Sequence, residues 1–128
     1  MHINQLTEKV IGLAIRVHRT LGPGFLESVY KAALAHELRQ VGIPFEKEKE
    51  LPVSYGPIIL EVGFRCDFLI EGKLIVECKA ARQLHPIDHA QTLNYLKCSE
   101  LQVGLLFNFH VMKLVDGGLK RIVNGFDG

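Results

Sequence analysis

Arg65-Cys66-Asp67-Phe68-Leu69-Ile70-Glu71-Gly72-Lys73-Leu74-Ile75-Val76-Glu77-Cys78-Lys79 embeds charged side chains in two short apolar runs joined at Glu71-Gly72. Runs of this length and composition, meeting at a glycine, predict a β-hairpin. Charged groups inside such strands are costly to bury unless they are paired or bind something. Glu77 and Lys79 are two residues apart, so both leave the same face of their strand. The register that sets Asp67 opposite Glu77 also pairs Phe68 with Val76 and Ile70 with Leu74, gathering those apolar residues on the other face. That register needs an odd loop or a bulge, for which Gly72 supplies a positive φ. Two carboxylates and one ammonium then converge on one spot of a sheet.

Upstream of the hairpin, Ile3, Leu6, Val10, Leu13, Ala14, Val17 and Leu21 recur at three- and four-residue steps and predict an amphipathic helix over the first twenty residues. Gly22-Pro23-Gly24 ends it. A second helix is expected from about Phe25 to Val41, with Leu26, Val29, Tyr30, Ala33, Leu34, Leu38 and Val41 inward and Gly42 as its stop. Phe45, Leu51 and Val53 fall at even steps through a run of alternating charge, and Ile58 to Val62 reads as a further strand in the centre of the sheet. Downstream, Pro86 opens a third helix to about Ser99. Gln102 to Phe109, Val111 to Val115 and Leu119 to Val123 read as strands, the last two flanking a turn at Asp116-Gly117-Gly118. The order implies one α/β (α+β) domain over residues 1–128, a single sheet flanked by helices.

Composition narrows the function. With 48% hydrophobic and 23% charged residues, the chain can build a core and is too apolar for disorder. A net charge of +1 excludes a protein that holds nucleic acid by bulk positive charge, so any such contact is local. Arg16, Arg19, Lys31, Arg65, Arg82 and Lys97 could serve it but are scattered. No apolar run is long enough to span a membrane and no secretory leader is visible, which predicts a cytoplasmic protein with no membrane partner. Cys66, Cys78 and Cys98 are odd in number and lack CxxC spacing, which fits reduced thiols better than a disulfide framework or a thiolate zinc site.

Two carboxylates one strand apart can share a hard cation such as Mg²⁺, and a neighbouring lysine can orient water or neutralise charge on a phosphate. The same three residues can equally form a cross-strand ion-pair cluster. Glu27, early in its helix, is either a third acid near the site or a surface glutamate favoured by the helix dipole. Gln91 and Tyr95 share a helix face and can hydrogen-bond a phosphate, or simply pack that helix on the sheet. Tyr30 reads as a buried ring with its hydroxyl on a partner. His85 and His89 have metal spacing, but their position at a helix start favours exposed histidines over a zinc site. His18 reads as structural, and Gly22-Pro23-Gly24 is no phosphate loop because GxxxxGK[ST] is absent.

Asp67 followed by Glu77-Cys78-Lys79 resembles the D-x(n)-E-x-K signature of the PD-(D/E)XK nuclease superfamily, with Cys66 in place of the motif's proline. Gly24-Phe25-Leu26-Glu27-Ser28-Val29-Tyr30 resembles the segment that names the GxxExxY family, which is grouped with that superfamily. Gln91-Thr92-Leu93-Asn94-Tyr95 is similar to the Q-x(3)-Y motif of its recombination-type exonucleases. The resemblance implies a restriction-endonuclease-like core with a mixed central sheet, and Mg²⁺ (or Mn²⁺) held by Asp67, Glu77, the Cys78 backbone carbonyl and Glu27. It further implies Lys79 as the residue that positions water, with Gln91 and Tyr95 assisting. The expected activity is hydrolysis of phosphodiester bonds in DNA or RNA. The alternative is a catalytically silent module of the same fold that binds nucleic acid or a protein partner; a homodimer would let two sites address two strands.

Overall fold

The computed structural model describes residues 1–125. Helix α1 (Ile3–Leu21) buries Leu6, Val10, Ala14 and Val17, as their spacing predicts, and starts where the His2 ring accepts the Asn4 N–H. Helix α2 spans Glu27–Gln40, two residues later than expected. The reason is Tyr30, whose hydroxyl donates to the Gly22 carbonyl at 2.6 Å and accepts the Phe25 N–H at 3.1 Å. This brace holds the Gly22-Pro23-Gly24 turn and Phe25 outside the helix. Leu26 and Val41, expected to face inward, therefore cap the two ends of α2 and are exposed.

The strands are β1 (Phe45–Leu51), β2 (Ser54–Tyr55), β3 (Ile58–Ile59), β4 (Phe64–Ile70) and β5 (Leu74–Lys79), followed by helix α3 (Pro86–Ser99), β6 (Val103–Asn108) and β7 (Leu119–Val123). The main sheet has the order β1-β4-β5-β6-β7. Only β5 and β6 run parallel, and the helical crossover that a parallel pair needs is α3. The mixed sheet with helices on both sides is the expected class. Helices α1 and α2 pack with Phe68, Ile70, Leu74, Val76, Cys78, Leu105 and Phe107 on one face. Helix α3 covers the other, where Leu96 meets Cys66, Ile75, Leu106 and Ile122.

The hairpin register is as expected: Phe68 pairs with Val76 and Ile70 with Leu74, and Glu71 and Gly72 take φ of 52° and 66° in the loop. Two expected strands are corrected. Ile58 to Val62 is not in the central sheet; Ile58–Ile59 pairs with Ser54–Tyr55 as a separate ribbon beyond the ends of β1 and β4. Its apolar side chains are exposed, because Gly56-Pro57 folds the chain back before it can reach the sheet. Val111 to Val115 is not a strand. Its segment closes on itself through Asp116 N–H to Lys113 O and Gly118 N–H to Leu114 O. A Cβ on Gly118 would stand 2.6 Å from the Asn108 carbonyl oxygen and 2.7 Å from Val111, so only glycine fits there. Among the described residues no helix is long and apolar enough to cross a membrane.

Candidate active site

Asp67 lies where the regular pattern of the sheet breaks. Phe45 packs on the α1/α2 side and Leu51 on the α3 side, although their even spacing predicts one face. In β4, likewise, Cys66 faces α3 and Phe68 faces α1 and α2. The β1–β4 register is the same on both sides of this switch, running Phe45↔Ile70 to Lys47↔Phe68 and resuming at Lys49↔Cys66. The pair left out is Glu48 with Asp67, and Glu48 has φ 56°. A left-handed residue in the middle of a strand reverses the side-chain alternation and opens the ladder at that point.

The β4–β5 ladder also stops short of Asp67 and Glu77. The two carboxylates take its place: Asp67 N–H donates to Glu77 Oε2 at 2.6 Å, and Cys78 N–H donates to Asp67 Oδ2 at 2.8 Å. Backbone donors that would otherwise be orphaned are thereby satisfied by acid side chains. Glu77 is 3% exposed and Asp67 9%. Burial, and then the neighbouring Asp67 charge, push the Glu77 carboxyl up to about 8. The expected convergence of Asp67 and Glu77 is therefore present, and as a hydrogen-bonded pair.

Lys79, the last residue of β5, is half-buried; its carbonyl accepts the Phe109 N–H at 2.9 Å. Its charge draws down both Glu77 and Glu27, although burial leaves each above the usual carboxylate range. Glu27 stands in the first turn of α2 and is also raised by Asp67. Tyr95 stacks on Phe64 with ring centroids 4.1 Å apart, and partial burial followed by the Glu77 and Asp67 charges raises its phenol. Gln91, one turn earlier on α3, is half-buried. Cys66 and Cys78 are buried, and burial pushes the Cys66 thiol up to about 12, so neither is a reactive sulfur; Cys98 is exposed.

Three contributors were not singled out by the sequence, in which Lys31 stood only as one of six scattered cations and Glu48 and Asn108 not at all. Lys31 donates to Asp67 Oδ1 at 3.2 Å and forms an ion pair with Glu48 Oε1 at 2.6 Å. Burial opposes its charge, but Glu48 and Asp67 outweigh this and hold the ammonium above the usual lysine range. Its spacing of four from Glu27 is the one signal that could have found it; nothing in the alternating charge run distinguishes Glu48. The third is Asn108, opposite Lys79 in the β5–β6 register and 2% exposed. It accepts the Ala81 N–H and donates to the Ala81 carbonyl, both at 3.0 Å, which fixes the chain just beyond Lys79. Arg16 and Arg65 are engaged by Glu37 and Glu50. His18 holds the segment after β6 through the Phe109 and Val111 carbonyls, and His85 begins α3 with its N–H on Asp88.

Among the described residues, no group of three or more His, Cys, Asp or Glu side chains is arranged to hold a metal ion. The Asp67/Glu77 pair nevertheless has the oxygen chemistry of a hard-cation site. Each acid binds a backbone N–H through one oxygen, Glu77 Oε1 carries no hydrogen bond from a described residue, and Asp67 Oδ1 is held by the cation of Lys31. The Glu77 carboxyl, raised by its burial and then by the Asp67 charge beside it, is relieved by a divalent ion, so the residues fit one.

A family model for the PD-(D/E)XK nuclease superfamily matches residues 4–122, and the chain belongs to that superfamily. Its members generally use divalent metal ions. No curated protein and no solved structure matches the chain.

Proposed function

We propose that residues 1–128 act as one Mg²⁺-dependent nuclease domain, with Mn²⁺ as a substitute ion, that hydrolyses phosphodiester bonds of DNA or RNA. The observation that carries this reading is the buried pair of Asp67 and Glu77 at the break in the sheet, with Lys79 beside it and superfamily membership behind it. Asp67 and Glu77 would hold the ion with the Cys78 carbonyl, and Glu27 would complete the acidic rim. Bound there, the ion supplies a more acidic water and neutralises charge on the phosphate. Lys79 orients the attacking water and donates to the phosphate oxygens as their charge grows. Gln91 and Tyr95 present an amide and a phenol from α3 to the same phosphate. The water oxygen bonds to phosphorus and gives up a proton, the bond to the leaving oxygen breaks, and that oxygen takes up a proton. The Gly24, Glu27 and Tyr30 segment supports placement in the GxxExxY family, with Tyr30 bracing the turn that sets Glu27 in place.

The test is incubation of purified protein with labelled single- and double-stranded DNA and RNA and Mg²⁺ or Mn²⁺, with Glu77→Gln alongside to expose contaminating nuclease. Cleavage by the wild type alone supports the reading and identifies the substrate. A folded wild type that neither binds the ion nor cuts any of these substrates overturns it in favour of a silent binding module.

A further inference from the structure

We propose that Lys31 is a built-in counter-ion that occupies the divalent ion's place at Asp67 Oδ1 and passes to Glu48 when the ion binds. The inference rests on the metal-binding reading of Asp67 and Glu77. Asp67 Oδ2 is engaged by the Cys78 N–H, so Oδ1 is the atom left for a cation, and Lys31 already holds it. The Lys31 side chain is only 15% exposed, so an ammonium displaced from Asp67 needs another acceptor close by. Glu48 is that acceptor. It is already bonded to the same Nζ at 2.6 Å, closer than Asp67 at 3.2 Å, and its side chain is 38% exposed. The exchange therefore orphans no charge.

The backbone of Glu48 supports a purpose for this arrangement. A non-glycine residue at φ 56° in mid-strand is strained, and such strain persists where surrounding structure enforces it, often at functional sites. The left-handed turn at Glu48 opens the ladder opposite Asp67, and the Glu48 carboxylate meets Lys31 at that opening. Lys31 is four residues after Glu27, so one face of α2 brings both an acid and a removable cation to the site. The competition sets the affinity for the ion lower than two buried carboxylates alone would give.

Calorimetric titration of the full chain with Mn²⁺, without nucleic acid, tests this. Lys31→Met should bind Mn²⁺ roughly tenfold more tightly than wild type, because a cation next to the ion is removed. Glu48→Gln should bind several-fold more weakly, since Lys31 loses its second acceptor. The double variant should bind like Lys31→Met, because without the lysine Glu48 has nothing to receive; two independent charge effects would instead add. Circular dichroism verifies each fold, and Lys31→Arg, which keeps the charge, should stay near wild type. Equal or weaker binding by Lys31→Met, or an undiminished Glu48→Gln effect in its background, overturns the proposal while leaving the metal site standing. Mn²⁺ binding unaffected by Asp67→Asn, or absent from both wild type and Lys31→Met, overturns both.

Discussion

Glu77→Gln should make the metal-free protein more stable at neutral and alkaline pH while removing its response to divalent ions. Glu77 is 3% exposed, lies against Asp67, and titrates at about 8 in the fold against 4.5 in the unfolded chain. A folded value above the unfolded one means that stability from this group is fully present below pH 4.5. It is lost as pH rises towards 8, because the unfolded chain releases the proton first, and is constant above that. Integrated to pH 7, the loss is about 3 kcal/mol as an upper value, since the charge is shared with Asp67. Glutamine has no proton to lose, its amide oxygen can still accept the Asp67 N–H, and its NH₂ can donate to the Asp67 carboxylate. At pH 7 with EDTA, thermal unfolding of the variant should therefore come above wild type by up to roughly 9–15 °C, at roughly 3–5 °C per kcal/mol for a chain of this size. At pH 4.5 the two should coincide. Mg²⁺ should raise the wild-type midpoint with increasing effect from pH 6 to 8, as the ion displaces the proton, and leave the variant unmoved. A variant that is less stable at pH 7, or a difference independent of pH, would refute the account of Glu77 as a buried carboxylate under repulsion.

Three further substitutions separate chemistry from scaffold. Lys79→Met should lower cleavage by at least about 100-fold while Mn²⁺ binding by calorimetry persists, since Lys79 is assigned to water and phosphate rather than to the ion. Tyr30→Phe should cost about 1–2 kcal/mol in urea denaturation, the hydroxyl bonds to Gly22 and Phe25 being lost while the ring remains stacked on Phe109 at 4.5 Å. Asn108→Ala should cost about 2–4 kcal/mol by the same measure, because it leaves the Ala81 N–H and carbonyl without their partners; an unchanged midpoint would show that Asn108 does not fix the chain after Lys79.

The parts of the fold legible in the sequence are those governed by local periodicity. The inward face of α1 and the hairpin register with β5 follow from the spacing of their apolar residues, and the Pro86–Ser99 helix from the proline at its first turn. The apolar segments Ile58–Val62 and Val111–Val115 mislead because hydrophobicity alone does not make a segment part of a sheet. The tight Gly56-Pro57 turn directs the first away, and backbone bonds within 111–118 close the second. Of the site, Asp67, Glu77 and Lys79 are legible from strand parity together with motif resemblance. Lys31, Glu48 and Asn108 are not, for one shared reason: each acts through a long-range contact or a backbone dihedral that no spacing encodes.

The face switch at Glu48 and Asp67 also explains how a sheet with apolar layers on both sides can carry an acidic site. In an unbroken β4–β5 ladder, backbone groups would compete for the donors of Asp67 and Cys78, leaving Asp67 with Lys31 alone and Glu77 buried with no donor among the described residues. With the ladder open, those donors are free, and each acid gains a bond to the opposite strand. The distortion that weakens the sheet is thus what makes the carboxylates tolerable within it. Its cost is confined to that point because Phe109 N–H holds the Lys79 carbonyl and Asn108 holds Ala81, so the strand end is fixed within two residues of Lys79. The backbone of Lys79 is thus held from its downstream side, beside a carboxylate pair pinned from within, without relying on the ladder that was given up.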